Sequence, residues 1–266
     1  MWKSVLGAAA TALIAAPAFA ADMPVKAPRP VPVEMYNWTG WYVGVNAGYG
    51  WHRDANVTFS NITGTLVSPG GVPGSVSPNV KGFLAGGQMG YNAQAGNFLY
   101  GIEADADYAS ISGSARLFGL IDARRSSLGN QRLDYFGTLR GRLGIVNDRL
   151  LVYGTGGLAF GHASSASAFS NTDGCVFPGG GANQCPTGSA SELLWGWTAG
   201  AGLEFALSRD WSAKAEYLYY DLGRTSYILT DPNFPNVTYG ATTSYRGNIV
   251  RGGINYHFGA PVVAKY

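Results

Sequence analysis

The chain is poor in charged residues and in the residue types that usually carry catalysis. Asp, Glu, Lys and Arg make up 13% of its 266 residues, against roughly 25% in an average globular protein. There are 2 Cys and 3 His, and the formal net charge is +2. A nearly neutral chain lacks the basic surface that nucleic-acid binding needs. No phosphate-binding or dinucleotide-binding motif is present, so we expect no nucleic-acid partner, no cofactor and no enzymatic activity.

Long hydrophobic runs are also missing. After the N-terminal segment, no run approaches the roughly 18 apolar residues of a membrane-spanning helix. At the N-terminus, Lys3 precedes a short apolar run over residues 5–16, and Ala18-Phe19-Ala20 forms a small-x-small cleavage signal. These features predict a signal peptide over residues 1–20. No Cys follows the cleavage point directly, which argues against lipoprotein processing.

Residues 21–39 are rich in proline, with Pro24, Pro28, Pro30 and Pro32 among small and basic residues. Such a composition favours an extended conformation that buries no core. We interpret the segment as a periplasmic linker. The alternative is that its basic residues bind an anionic cell-wall polymer.

The rest of the chain alternates apolar and polar residues with a period of two, which is typical of strands. Eight segments show the pattern: 41–51, 80–95, 98–108, 133–146, 150–162, 193–205, 211–219 and 248–258. The fifth combines Tyr153 and Phe160 at opposite parity, and we predict a bulge in the glycine-rich run Gly154–Gly157 between them. Long loops rich in small and polar residues are expected at 52–79, 112–131, 163–191 and 222–243.

Long and short connections alternate along these eight strands, which places all short turns at one end. Transmembrane barrels show this asymmetry, with short periplasmic turns and long extracellular loops. We therefore predict an all-β fold, an eight-stranded antiparallel up-and-down transmembrane β-barrel over residues 40–258, followed by a C-terminal tail over 259–266. A soluble barrel is the alternative, because alternation alone does not say which face points outward.

The heights of the aromatic residues decide between the two. On the apolar face they fall near the strand ends and leave aliphatic residues between, as expected of rings at the two membrane interfaces. The predicted girdles are Trp41, Trp51, Tyr91, Tyr108, Tyr135, Trp195, Trp197, Trp211, Tyr219, Tyr256 and Phe258.

The opposite face carries charges of both signs and would fill the narrow interior of an eight-stranded barrel. Three acids alternate along one strand and two arginines along the next, so neutralising pairs are expected there. The predicted lumen charge network is Glu103, Asp105, Asp107, Arg140, Arg142, Glu204, Lys214, Glu216 and Arg251.

Five segments resemble the alphaproteobacterial outer-membrane immunogenic protein family, also called RopB-like. They are 36–51 (YNWTGWYVGVNAGYGW), 88–92 (QMGYN), 153–161 (YGTGGLAFG), 215–223 (AEYLYYDLG) and 255–258 (NYHF). The resemblance covers essentially the whole mature chain. It implies an eight-stranded barrel in the Gram-negative outer membrane and a porin-like description. Barrels of this kind end on an aromatic residue read by the assembly machinery, and this chain leaves Phe258 and Tyr266 as alternatives.

Few residues suggest a chemical site. Cys175 and Cys185 share one loop of a secreted chain, so we predict a disulfide, with two free thiols as the alternative. His52, His162 and His257 fall at separate places and predict no metal site, although a haem site at the rim is a sharper alternative. Hydrolysis would require a nucleophile, a base and an orienting group to converge at the outer rim, and the sequence identifies no such group.

The sequence therefore favours a structural, surface-exposed barrel with a charge-filled lumen and long, antigenic extracellular loops. A small-solute pore and a loop that binds a ligand or host molecule, such as haem, are the alternatives. The expected partners are outer-membrane lipid and lipopolysaccharide, the barrel-assembly machinery, and the cell wall through the linker.

Overall fold

The computed structural model describes residues 36–52, 55–63, 67, 72–120, 123–171 and 185–258. These residues form ten strands and no helix. The strands are β1 (Gly40–His52), β2 (Val57–Asn61), β3 (Ser75–Val76), β4 (Lys81–Ala95), β5 (Phe98–Phe118), β6 (Arg125–Asn147), β7 (Leu150–Asn171), β8 (Thr187–Ala206), β9 (Trp211–Asp231) and β10 (Phe234–Phe258). Within this part of the chain, no helix is long and apolar enough to cross a membrane.

Eight of the strands form a closed antiparallel ring. Each pairs with its neighbour in the order β1, β4, β5, β6, β7, β8, β9, β10, and β1 also pairs with β10. The closing ladder is continuous, running from Trp41 opposite Phe258 to His52 opposite Gly247. A closed ring leaves no strand edge exposed over this length. The predicted eight-stranded barrel is confirmed.

Two short strands were not predicted, because the sequence suggested a loop from residue 52 to residue 79. β2 continues the direction of β1 and pairs with β10, from Val57 opposite Thr243 to Asn61 opposite Tyr239. β3 returns alongside β2. The turn-forming residues of this segment therefore surround a small hairpin rather than forming one irregular loop.

The other long loops are shorter than predicted. Most of the predicted loop 222–243 is strand, because only Pro232 and Asn233 separate β9 from β10. Likewise, β5 and β6 extend into the predicted loop 112–131, and β7 and β8 extend into the predicted loop 163–191. These strands are 20 to 25 residues long, whereas roughly 9 to 11 tilted residues cross a bilayer. About half of each long strand therefore projects beyond the band that lipid can cover.

Irregularities in the ladders also change the faces that were predicted. The ladder of β6 with β7 shifts between Leu133 and Tyr135, and that of β5 with β6 shifts between Tyr108 and Ile111. Leu133, which the alternation placed on the outer face, is consequently fully buried.

The predicted bulge at Gly154–Gly157 is wrong, because both ladders of β7 run through these residues without a shift. Tyr153 and Phe160 have opposite parity because they lie on opposite faces of one regular strand.

The two ends of the barrel differ. One end carries the first residue of β1, the last residue of β10 and the short connections 96–97, 148–149 and 207–210. We call it the turn end, and the opposite end, where the long strands project, the arm end.

Candidate functional site: the barrel interior and the two ends

A cluster of nine charged side chains fills the interior nearer the turn end. We call it the charge cluster. All nine are buried, with 0% to 5% of each residue exposed, and they are the nine that the alternation places on the inner face. Five carboxylates meet four cations: Glu103, Asp105, Asp107, Glu204 and Glu216 with Arg140, Arg142, Lys214 and Arg251.

Arg140 joins three carboxylates from two other strands. Its Nη2 lies 2.5 Å from Glu103 Oε1 and 2.9 Å from Asp105 Oδ2, and its Nη1 lies 2.9 Å from Glu216 Oε1. Glu103 and Arg140 are direct partners in the ladder of β5 with β6, so the backbone register alone brings them together. Lys214 Nζ adds a second cation 2.9 Å from Glu103 Oε1.

Arg251 completes the side of the cluster that faces the arm end. Its Nη2 lies 2.8 Å from Glu216 Oε2 and 2.9 Å from Asp105 Oδ2, and its Nη1 lies 3.0 Å from Asp107 Oδ2. Buried charges of this number are stable only when they pair closely and satisfy their remaining hydrogen bonds. Each arginine fork meets the first condition by contacting more than one carboxylate. The second is met only in part, since Arg142 Nε and one oxygen each of Asp105 and Asp107 have no hydrogen-bond partner within the described residues.

Glu204 anchors the cluster toward the turn end. Its Oε2 accepts from Arg142 Nη2 at 2.7 Å, and its Oε1 accepts from Ser212 Oγ at 2.6 Å and from Asn255 Nδ2 at 2.7 Å. His257 Nε2 lies 2.9 Å from Ser212 Oγ. One carboxylate thus connects β6, β8, β9 and β10.

Two tyrosines complete the cluster, and the sequence analysis missed both. Tyr42 donates from its hydroxyl to Glu103 Oε2 at 2.7 Å, and Tyr153 donates to Glu216 Oε1 at 3.1 Å. The Arg142 guanidinium carbon lies 4.0 Å from the centre of the Tyr153 ring, a cation–π distance. Residue parity was the available signal, since Tyr42 lies at the parity opposite to Trp41 and Val43 on β1.

A short aromatic segment closes the turn end. Trp38 is fully buried, its Nε1 donates to the carbonyl of Asp148 at 3.3 Å, and its backbone N–H donates to Gln94 Oε1 at 2.9 Å. Its ring centre lies 4.8 Å from that of Tyr36. Burial raises the pKa of the Tyr36 phenol to about 12, and the Glu204 carboxylate acts in the same direction. Residues 36–39, which the sequence assigned to the linker, therefore pack against the barrel.

Above the charge cluster, the interior becomes apolar. This was not predicted, because only the polar and small residues of the inner face were considered, although Leu84, Leu218 and Ile249 share that face by alternation. We call the layer the apolar layer, and its buried members are Ala55, Val80, Leu84, Ala109, Ile111, Leu133, Phe136, Ala159, Ala163, Leu194, Leu218, Tyr220, Leu222, Tyr245 and Ile249. The irregularity in β6 directs Leu133 inward, whereas Ile111 shares the inner face of Asp107 through the regular alternation of β5.

A second apolar cluster lies between the projecting strands at the arm end. Phe59 on β2, Phe169 on β7 and Tyr239 on β10 meet there, with the Phe169 ring centre 4.9 Å from that of Phe59 and 5.3 Å from that of Tyr239. The short β2–β3 hairpin supplies Val57, Phe59 and Val76 to this cluster. The hairpin thus covers the interior from the arm end.

The outer face carries the aromatic residues predicted for the girdles. Toward the turn end, the rings of Trp41 and Tyr91 and those of Trp211 and Tyr256 have centres 5.2 Å apart. Toward the arm end, the rings of Tyr108 and Tyr135 lie 5.7 Å apart, and those of Trp197 and Tyr219 lie 5.4 Å apart. Trp195 and Phe258 are exposed, and the ring centre of Trp51 lies 6.5 Å from that of Tyr49. Between these two levels, Val45 and Leu139 are exposed by 65% and 53%.

The histidines lie at three different places. His52 lies beside the rings of Tyr220 and Tyr245, with centres 5.9 Å and 6.2 Å away. His257 faces the turn end, and His162 lies on the outer wall beside Asp134. Across the ranges that the structure describes, no three potential metal ligands of the His, Cys, Asp or Glu type come together.

Cys185 lies just before β8, and its backbone N–H donates to Asp231 Oδ2. Cys175 lies outside the described residues, so the disulfide stays a prediction. The signal peptide, the linker before residue 36 and the tail 259–266 also lie outside them.

Known proteins share this architecture. The family model of the outer membrane protein β-barrel domain matches residues 6–258. The chain belongs to this family. A 31 kDa outer-membrane immunogenic protein of Brucella melitensis is 37% identical over 266 positions, covering 96% of this chain and 100% of that one. A 25 kDa outer-membrane immunogenic protein of Brucella abortus is 29% identical, covering 96% and 97%.

The crystal structure of the outer membrane protein OprG from Pseudomonas aeruginosa is also similar. It superimposes with a TM-score of 0.53 at 13% identity, covering 85% of this chain and 99% of that one. This likeness shows the fold alone. The predicted family and the outer-membrane location are confirmed, and the Brucella relatives are described as outer-membrane immunogenic proteins rather than as enzymes.

Proposed function

We propose that the protein is a closed, structural barrel that spans the outer membrane and displays its projecting strands at the cell surface. The observation that carries this proposal is the succession of buried layers along the interior. Trp38 lies at the turn end, the charge cluster above it, then the apolar layer, and Phe59 with its neighbours at the arm end. A hydrated ion that crossed the interior would have to displace side chains at every level.

This packing disfavours a small-solute pore. An eight-stranded barrel encloses a lumen just wide enough for side chains, and Arg140 and Arg251 reach across it to acids on other strands. Opening a path would break several of these buried ion pairs together. Breaking one buried pair costs about 3–5 kcal/mol of stability.

Planar-bilayer conductance tests the proposal. The mature chain is expected to give no steady current. The amount of inserted protein is checked by recovering it from the membrane. A known porin in the same bilayer serves as the positive control. Steady channels from the wild-type chain, with a conductance altered by Arg140→Ala, would overturn the closed barrel and favour the pore.

The projecting strands are the part that the proposal assigns to the cell surface. β5 and β6 form one of these projecting hairpins. Near its tip, Leu117 and Phe118 are 51% and 45% exposed, and Leu120 is 97% exposed. Antibodies against a peptide of residues 112–131 should label intact cells. Antibodies against a periplasmic segment such as residues 21–35 should label only permeabilised cells. The reverse result would place the projecting strands in the periplasm.

The proposed partners follow from this orientation. The outer face between the girdles contacts membrane lipid, and the arm-end girdle meets lipopolysaccharide. The barrel-assembly machinery reads the aromatic end of the last strand, with Phe258 as its candidate residue. Binding of haem or a host molecule by residues 163–191 stays a hypothesis, to be tested by exchanging that segment.

A further inference from the structure

Three polar side chains on adjacent strands meet outside the barrel, apart from the charge cluster. Asp134 lies on β6, His162 on β7 and Ser191 on β8. Asp134 Oδ2 lies 3.4 Å from His162 Nδ1, and Ser191 Oγ lies 3.3 Å from His162 Nε2. The two ring nitrogens therefore face a carboxylate on one side and a hydroxyl on the other.

The strand irregularity in β6 creates this arrangement. The ladder with β7 shifts between Leu133 and Tyr135, and Asp134 lies within the shift. In a regular strand, Asp134 would share the inner face of Thr138 and Arg140. Here Leu133 is buried inside, and Asp134 is directed toward the outer surface beside His162. The sequence could not reveal the constellation, because the alternation placed Asp134 in the lumen.

We propose that Ser191, His162 and Asp134 form a serine hydrolase site on the outer wall of the barrel. The connectivity is that of a nucleophile, a general base and an orienting carboxylate. The distances exceed the roughly 2.6–3.2 Å of an engaged hydrogen bond, as is common before substrate binds. In this role Ser191 and His162 are catalytic residues, and Asp134 is a positioning residue.

The reaction is hydrolysis of a carboxylic ester by water. Ser191 Oγ attacks the acyl carbon while His162 Nε2 takes the hydroxyl proton, and the imidazolium then donates that proton to the leaving alcohol. Water attacks the resulting acyl-serine, giving its proton to His162. The carboxylic acid leaves, and the proton returns to Ser191. No oxidant, metal or further reactant enters the balance.

The position of the site indicates the class of ester. The Cα of His162 pairs with that of Tyr135 on one side and that of Leu193 on the other, and both side chains are more than half exposed. Trp195 and Phe160, with ring centres 5.3 Å apart, lie one step nearer the membrane. Aromatic residues mark the membrane interface, the depth of the ester bonds of membrane lipids. The inferred substrate is therefore an ester-linked acyl chain of an outer-leaflet lipid.

Two neighbouring features support the assigned roles. Arg132 is half exposed and holds Asp134 through its Nε, 2.5 Å from Oδ1. On the other side of Ser191, the ladder of β8 with β9 is interrupted between Thr187 and Trp197. The proposal assigns the backbone N–H groups of this interruption to the oxyanion of the tetrahedral intermediate.

The experiment uses the full mature chain folded in lipid vesicles, with p-nitrophenyl butyrate as substrate and a fluorophosphonate reporter as covalent probe. Ser191→Ala should abolish labelling and lower hydrolysis by about 10²-fold or more, and His162→Ala should do the same. Ser189→Ala, at an exposed serine on the same strand, is the matched control and should retain both signals. Heat-modifiable gel migration checks that every variant is folded.

The positioning role of Asp134 has its own readout. Asp134→Asn should lower kcat while KM changes little, and Asp134→Glu should restore part of kcat. Equal labelling and hydrolysis in wild type and in Ser191→Ala would overturn the proposal. So would a folded wild-type chain without any labelling, in which case the three residues form a surface hydrogen-bond network only.

Two lipid sources share the ester chemistry, and separate vesicles distinguish them. One preparation contains phosphatidylethanolamine with radiolabelled acyl chains, and the other contains lipopolysaccharide with radiolabelled acyl chains. Release of free fatty acid from either, lost in Ser191→Ala, supports the site and names its source. Release from neither overturns the assignment of a lipid ester.

Discussion

Glu103 and Arg140 lie directly opposite each other in the ladder of β5 with β6, with both side chains fully buried and Oε1 2.5 Å from Nη2. The pair fixes the register of two strands from inside the barrel, because a slip by one residue would direct a charge into lipid. Arg140 also connects this part of the wall to β9 through Glu216.

Replacing Arg140 by Ala should destabilise the barrel strongly. Glu103, Asp105 and Glu216 would each lose a buried partner, and breaking a buried pair costs about 3–5 kcal/mol. The temperature at which heat-modified gel migration changes should fall clearly. Arg132→Ala, at an exposed ion pair, is the control and should change stability by about 1 kcal/mol or less. An unchanged transition in Arg140→Ala would show that the charge cluster does not hold the barrel together.

The acids of the charge cluster should differ in their response to neutralisation. Glu103 contacts Arg140, Arg142 and Lys214, whereas Asp107 pairs with Arg251 alone among the cations of the described residues. Five carboxylates face four cations, so removing the charge of Asp107 leaves the cluster balanced. Asp107→Asn should therefore leave stability nearly unchanged, while Glu103→Gln should lower the unfolding midpoint in urea. Equal losses would contradict this assignment of pairs.

Alternation in the sequence was sufficient to predict the eight-stranded ring and the inner position of residues such as Glu204 and Lys214. A period of two determines the face of a side chain wherever the ladder is regular. It failed beyond the irregularity in β6, where Leu133 turns inward and Asp134 outward, since a one-residue shift reverses the faces that follow in that strand.

The prediction was incomplete in two further places. Tyr42 and Tyr153 were not included in the predicted lumen network, although their hydroxyl groups satisfy buried carboxylates. The apolar layer was also missed, because only the polar and small residues of the inner face were considered. Pattern alone also does not show that β2 and β3 fold across the arm end, since their turn-forming neighbours indicated a loop.

Removing the Trp38 side chain should weaken the turn end without opening a channel. The ring is fully buried, and replacing a buried Trp by Ala costs about 3–5 kcal/mol. Trp38→Ala should thus lower the transition temperature but remain silent in planar bilayers, because the charge cluster still fills the interior. Trp41→Ala, at a ring that is 55% exposed, serves as the control. Channel openings in Trp38→Ala would mean that this ring alone closes the barrel.

Accessibility of nitroxide labels should report which face contacts lipid. Labels replacing Val45 and Leu139, both exposed between the girdles, should collide with dissolved oxygen, which concentrates in the bilayer, and be shielded from a water-soluble nickel complex. A label replacing Ser114, exposed on the part of β5 that projects beyond Tyr108, should show the opposite preference. These positions lie on the surface, so labelling should leave gel migration unchanged. If the nickel complex reached Val45 and Leu139 as readily as Ser114, the apolar outer face would be in water, and a membrane-spanning barrel would be ruled out.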